Sequence, residues 1–208
     1  SAEEELSRVM PVIERLAGVL SVPISIDTTK AIVARHALED GAEIVNDISA
    51  MRFDDQMTRV VADHGVPVVL MHMKGTPRTM QEGDLSYRSL MGEITGFFEE
   101  RLEAAVSGGI DEEQIVIDPG IGFGKTTADN VAILRNLREL KTLGRPILVG
   151  PSRKRFIGQV TGQEHADERL EGTAASVAAA ILSGAHIIRV HDVEFMKRVS
   201  LIADEIAQ

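Results

Sequence analysis

The sequence predicts an α/β fold, a (β/α)8 TIM barrel of which about six βα units are present. Three observations carry that prediction. A unit of glycine, short strand, polar residue, loop and helix recurs, with glycines at 18, 41, 65, 109, 144 and 184 ahead of successive strands. The strands, at 24–26, 44–45, 66–71, 115–117, 147–149 and 187–190, are apolar and largely β-branched without clean alternation. That is the pattern of strands buried on both faces of a parallel sheet. Each strand also delivers polar residues at its C-terminal end: Asp27; Asn46 and Asp47; His72; Asp118; Ser152 and Lys154; Arg189 and His191. In a barrel those ends form one ring around one site, whereas an open sheet uses only the strands beside its switch point.

The elements come in order along the chain. Residues 1–16 have helical apolar spacing (Leu6, Val9, Met10, Ile13, Leu16), with Ser1 and Glu4 at capping-box positions. A strand at 23–27 leads to a helix at about 30–39, capped by Thr28 or Thr29. The strand at 43–47 precedes a helix at about 54–63 that stops near Gly65, and the strand at 66–71 runs into His72. A polar loop at 73–86 and a helix at 90–107 come next. The strand at 114–117 ends in Asp118, and a glycine-rich loop at 119–125 opens a helix near 130–140. After the strand at 147–149, Ser152 stands as the N-cap of a short helix at 153–160. Arg153 and Lys154 then fall in its first turn, the wrong sign of charge for a helix N-terminus unless an anion is bound there. A loop at 161–167, an Ala-rich helix at 169–183, the strand at 186–190 and a last helix capped by His191 and Asp192 complete the chain. The apolar positions of that last helix, Val193, Met196, Val199 and Ile206, share one side.

Eight strands close a barrel, and this chain opens on a helix. Two βα units less one helix are therefore expected to lie outside these 208 residues, leaving open sheet edges prone to mispairing. The chain reads as a single domain, 1–208. Its net charge of −10 argues against a nucleic-acid surface, and the absence of Trp with a single Tyr argues against base stacking. There is no Cys, so neither a disulfide framework nor a thiolate metal site is available, and a reducing cytoplasm fits. The longest apolar run is far too short to span a bilayer. The six His show no metal-ligand spacing, and His36, His64 and His165 read as surface residues.

The run Asp118-Pro-Gly-Ile-Gly-Phe-Gly-Lys125 resembles nucleotide loops but fails both tests. Pro119 occupies the first glycine position of a phosphate loop, and the glycine spacing is wrong for a dinucleotide fingerprint. What remains is a loop whose backbone can approach a ligand, with Phe123 as a wall. Asp27, Asn46 and Asp118, joined by Lys154, suit a flat heterocycle with several N–H donors and a carbonyl. Arg189 and His191, two apart on a strand, can face one way and hold an oxyanion beside Ser152. Each residue also has a plainer reading as a helix cap, a salt bridge or a tight turn. Convergence on one ring favours the functional one.

Together, Ser25-Ile-Asp-Thr28, Asn46-Asp-Ile48, Leu70-Met-His-Met73 with Gly75-Thr-Pro77, Asp118–Lys125, Ser152-Arg-Lys154 and Arg189-Val-His-Asp192 resemble the dihydropteroate synthase family from end to end. The resemblance implies a (β/α)8 barrel, usually a homodimer, that joins 6-hydroxymethyl-7,8-dihydropterin pyrophosphate to 4-aminobenzoate with Mg2+ and is a sulfonamide target. It implies Asp27, Asn46, Met71, Asp118 and Lys154 for the pterin, with Asp27, Asp118 and Lys154 taking part in catalysis. It implies Arg189 and His191 for the pyrophosphate, and Phe123, Ser152 and the Lys154 stem for the aminobenzoate. The family's magnesium-binding Asn and its loop over the aminobenzoate belong to the N-terminal units not seen here. No metal ligand is therefore expected in this chain, and its turnover is expected to be weak or absent. A pterin-dependent methyltransferase shares the barrel and the pterin residues, and a non-catalytic pterin-binding relic is the reading of another class. The Ser-Arg-Lys and Arg-x-His-Asp motifs favour the synthase.

Overall fold

The computed structural model describes residues 1–77, 79–80 and 85–207. The loop expected at 73–86 lies partly outside them, at 78 and 81–84. The chain resolves into two compact units, Ser1–Met71 with Glu99–Ile117, and His72–Phe98 with Asp118–Gln208. The expected alternation of strand and helix holds in both, and the paired strands whose register is resolved run parallel.

The first unit contains α1 (Ala2–Leu16), β1 (Ser25–Asp27), α2 (Ala31–Glu39), β2 (Ile44–Asp47), α3 (Met57–His64), β3 (Val68–Met71) and the second half of α4 (Leu90–Ser107). With β4 (Ile115–Asp118) the strands form a sheet in the order β1-β2-β3-β4. All four residues of β3 are buried, as are Ile115 and Ile117, which is why these strands carry no polar face. α2 presents Ala31, Val33, Ala34 and Ala37 inward, a small-residue face that lets the helix lie close.

The cap expected from Thr28 or Thr29 does not form. Lys30 holds the N-cap position of α2 without a side-chain bond. The Thr28 hydroxyl is engaged elsewhere, donating to Glu5 and accepting the Lys30 N–H. The Ala31 N–H donates instead to the Asp54 carboxylate at 2.8 Å, whose other oxygen accepts the Gln56 N–H at 3.0 Å. Asp54 thus serves the heads of two helices, and the turn it forms delays α3 to Met57, three residues after the expected start.

The second unit contains the first half of α4, α5 (Thr127–Asn136), β5 (Leu148–Val149), α6 (Arg155–Thr161), α7 (Leu170–Leu182), β6 (Ile187–Ile188) and α8 (Val193–Ala207). β5 and β6 pair in parallel, Leu148 against Ile187 and Val149 against Ile188. Val177 and Ile181 of α7 pack on Met196 and Ala203 of α8. Of the expected α8 stripe, Met196 is buried and Val199 packs beside it, but Val193 and Ile206 are 63% and 67% exposed. α5 begins three residues before its expected start because Thr126 and Asp129 form a reciprocal capping box. Beyond Asn136 the chain tightens into a 3₁₀ segment, Leu137–Leu143, ended by left-handed Gly144.

Thr126→Ala removes the hydroxyl half of that box and should destabilise the protein by about 1 kcal/mol. A lower urea midpoint at unchanged m-value is the expected result, and an unchanged midpoint would show that the cap contributes nothing.

Candidate active site

In the first unit the parallel register sets Asp27 directly beside Asn46 at the ends of β1 and β2. Asp27 is exposed and Asn46 is 8% exposed, so one end carries a solvated carboxylate and the next a sheltered amide. Met71, at the end of β3, is buried. Asp47, next to Asn46, takes a different role. Fully buried, its carboxylate accepts the Ser49 N–H and hydroxyl at 2.7 Å each and the Met51 N–H at 3.0 Å. These bonds hold a turn in which Ala50 and Met51 both adopt positive φ, 52° and 62°. Burial raises the Asp47 pKa above the usual carboxylate range, its three hydrogen bonds oppose the shift, and the nearby Asp27 charge adds to it. Asp47 builds the turn, while Asp27 and Asn46 stand side by side at the strand ends.

In the second unit Asp118 is 7% exposed, and its carboxylate accepts the Gly120 N–H at 2.7 Å. Burial raises its pKa to about 6, opposed by that hydrogen bond and by the charges of Lys125, Lys154 and Arg189. The loop after it turns at three left-handed glycines, Gly120, Gly122 and Gly124. A Cβ on Gly124 would lie 2.4 Å from the Lys74 carbonyl oxygen, which explains why glycine is needed there. The turn presents Phe123 to Lys154, whose ammonium lies 4.2 Å from the ring centroid. Phe123 and Lys154 therefore meet as the sequence predicts.

Ser152 is not the helix cap the sequence suggests. α6 starts at Arg155, and Lys154 holds the N-cap position without a side-chain bond. The Ser152 hydroxyl lies 2.8 Å from His191 Nδ1 and accepts the His191 N–H at 3.2 Å, fixing that imidazole. Ser152, Lys154, Arg189 and His191 line one cleft of about 590 Å³. Arg189 is placed there by its N–H, which donates to the Val149 carbonyl at 3.0 Å.

Arg153, which the sequence places in the first turn of the expected short helix, makes a bidentate pair with Asp192 at 3.0 and 2.6 Å. Its φ of 57° is held by an N–H bond to the Thr173 hydroxyl at 3.0 Å. Asp192 therefore gives its carboxylate to Arg153, and only its carbonyl opens α8, accepting the Met196 N–H at 2.9 Å. His191 likewise serves Ser152 rather than capping α8.

A second cleft of about 390 Å³ is lined by Lys125, Lys154, Arg155, Thr127 and Gln159 among others. Sequence reasoning does not single out Lys125 or Arg155. Arg155 directly follows the Ser-Arg-Lys motif, and only the true start of α6 identifies it. A larger groove of about 610 Å³ beside Leu134, Phe156, Val160 and Ala179 is nearly all apolar and holds none of the expected site residues. His36, His64 and His165 are exposed, as expected. Among the described residues, no group of three or more His, Cys, Asp or Glu side chains gathers as a metal ion would require, and no helix is long and apolar enough to cross a membrane.

The strands of this parallel α/β protein end in an amide, carboxylates and cations. Residues 1–191 match the family described as pterin binding enzyme, and the chain belongs to that family. Within it, the chain groups with the dihydropteroate synthases. It is 50% identical over 204 residues to the dihydropteroate synthase of a Synechocystis strain, covering 98% of this chain and 70% of that protein. The dihydropteroate synthase of Yersinia pestis, solved with a sulfonamide drug complex, superposes with a TM-score of 0.95 at 39% identity, covering 99% of this chain and 74% of that one. The Xanthomonas albilineans enzyme in complex with 7,8-dihydropteroate superposes with a TM-score of 0.91 at 43% identity, covering 99% and 75%.

Gly124 and Gly144 have nearly the same φ, 65° and 66°, but only Gly124 faces a neighbour that an added Cβ would strike. Gly144→Ala should lose about 1–2 kcal/mol of stability, the cost of a left-handed non-glycine residue. Gly124→Ala should lose clearly more and displace the Phe123 loop. Equal losses in urea unfolding would show that the approach to Lys74 does not constrain the loop.

Proposed function

We propose that this chain catalyses the dihydropteroate synthase reaction, condensing 6-hydroxymethyl-7,8-dihydropterin pyrophosphate with 4-aminobenzoate in folate biosynthesis. Its relationship to the dihydropteroate synthases across nearly its whole length carries the reading, and the chemistry of the strand ends supports it. In this reading residues 1–208 form one pterin-binding domain of a (β/α)8 barrel.

The pterin is held by Asp27, Asn46, Met71, Asp118 and Lys154. Ionised carboxylates accept the ring N–H groups, and the Lys154 ammonium donates to the ring carbonyl. Arg189 and His191 take the diphosphate, with Ser152 holding the His191 ring in place. Phe123 and the Lys154 stem flank the aminobenzoate ring, and Ser152 meets its carboxylate.

The reaction breaks the C–O bond between the pterin methylene and the diphosphate. Positive charge develops on the electron-rich pterin, where Asp27 and Asp118 stabilise it, and the cations stabilise the leaving diphosphate. The arylamine nitrogen then forms the new C–N bond and loses a proton. Water has to be kept from the methylene carbon, which it would otherwise capture.

Mg2+ is proposed as the reaction's metal from family resemblance alone. Among the described residues no group of three or more His, Cys, Asp or Glu side chains gathers to hold it. A homodimer, a cytoplasmic location and sensitivity to sulfonamides, which would compete for the aminobenzoate cleft, belong to the same proposal.

The direct test incubates the protein with both substrates and Mg2+ and monitors dihydropteroate and pyrophosphate by chromatography. Equimolar formation of the two supports the synthase. Pterin binding without any response to aminobenzoate would sink it.

Two variants then separate the subsites. Lys154→Ala should weaken binding of 6-hydroxymethyl-7,8-dihydropterin by about 10- to 100-fold, the range for a charge-assisted hydrogen bond. Arg189→Ala should spare that ligand and weaken only its pyrophosphate ester. Calorimetry on both ligands reads the difference, and equal losses for Arg189→Ala would remove it from the diphosphate site.

A further inference from the structure

Lys125 closes the glycine loop, and no step of the synthase reaction uses it. It is only 5% exposed, although lysine is among the residues least often buried. Its Nζ lies 2.9 Å from His72 Nδ1, 3.2 Å from the His72 carbonyl oxygen and 3.0 Å from the Phe123 carbonyl oxygen. Three acceptors match the three N–H bonds of an ammonium and leave none over. Facing the charged form of Lys125, the His72 Nδ1 accepts, which places the imidazole proton on Nε2. Phe97 meets the imidazole edge-on at 4.9 Å between centroids, with Tyr87 and Phe98 at 6.2 and 6.4 Å, so the acceptor is held in place.

A buried, fully bonded cation needs an electrostatic reason. The acids acting on Lys125 are Asp118 and Asp129, and Lys154 opposes them. Lys125 sits beside Asp118: its ammonium holds the His72 carbonyl, and the His72 N–H donates to the Asp118 carbonyl at 2.8 Å, so among the cations acting on the Asp118 carboxylate it comes ahead of Lys154 and Arg189. Burial lowers the Lys125 pKa to about 7, so its charge is full well below neutral pH, half lost near pH 7 and gone well above it.

We propose that Lys125 is a positioning residue for pterin binding: a buried cation that keeps the Asp118 carboxylate ionised while its hydrogen bonds tie the Phe123 loop to the His72 backbone. This rests on the reading that Asp118 accepts pterin N–H groups. A protonated Asp118 has a donor where an acceptor is needed, so pterin affinity must fall as pH drops through the Asp118 pKa. Removing the Lys125 charge makes that carboxylate easier to protonate, which moves the fall to higher pH.

The test compares the unmodified protein with Lys125→Met and Lys125→Gln. Binding of 6-hydroxymethyl-7,8-dihydropterin, which has no diphosphate to titrate, is measured by calorimetry from pH 5 to 8 on samples shown by circular dichroism to be folded. In the unmodified protein the midpoint of the fall is expected at about 6, the Asp118 value. In both variants it should rise by about one unit or more, the lower end of what a nearby opposite charge contributes. Gln keeps a hydrogen-bonding group but not the charge. An unshifted midpoint in Lys125→Gln therefore overturns the proposal and leaves Lys125 as a loop clamp.

If neither variant folds, the Asp118 carboxyl 13C resonance of the unmodified protein decides. It should show its own inflection and a second one as Lys125 deprotonates; a single inflection overturns the coupling. Should the unmodified protein bind no pterin, the functional reading fails by itself, and the 13C titration still judges the Lys125–Asp118 interaction.

Discussion

A carboxylate taken almost wholly out of water is the constraint on which the second unit depends. Asp118 ends an apolar strand, and ionising it there costs several kcal/mol before any compensation. The compensation shapes the loop from Pro119 to Lys125. The Gly120 N–H reaches the carboxylate only because the chain turns at once, and that turn needs glycines in the left-handed region. Lys125 returns at the far end of the loop, and Lys154 approaches over Phe123. One buried charge thus accounts for the loop's composition, its direction and the cations around it.

The remaining polar strand ends include residues committed to the fold by hydrogen bonds and residues proposed to meet a ligand. Asp47 is committed to Ser49 and Met51, whereas its neighbour Asn46 stands in register with Asp27. Arg153 and Asp192 hold each other through two bonds. Arg189 and Lys154 line the cleft beside them. The motifs Asn-Asp, Ser-Arg-Lys and Arg-x-His-Asp therefore each mix structural and ligand-facing residues. A motif read as a block would misassign half of its members.

Sequence alone reaches the strands and the polar residues at their ends because both obey local rules. Buried parallel strands need runs of apolar residues, and a residue just after such a run sits at a strand end whatever the helices do. Helix starts are less legible where the partner is distant. Asp54 caps α2 from 23 residues away, and no local pattern announces it. The capping box at Thr126 and Asp129 is readable but masked by the glycine loop before it. Ser152 misleads for a physical reason: its hydroxyl has two eligible partners, an amide ahead and an imidazole 39 residues on, and only the folded chain shows which is nearer. Lys125 escapes notice because an exposed lysine and a buried one look alike in sequence.

The distribution of charge bears on how such a protein meets its ligands. With a net charge of −10, the chain as a whole repels a pterin diphosphate and a benzoate. Screening limits that repulsion, since at physiological ionic strength charges more than about 8 Å apart in solvent barely interact. Inside a cleft the screening is weaker and the local charges dominate. The two polar clefts share Lys154, one adding Arg189 and the other Arg155. An anion therefore gains little until it is within a few ångströms of these side chains. Recognition then depends less on long-range attraction than on how well the clefts replace its water, which puts selectivity in the same few residues that would stabilise the leaving diphosphate.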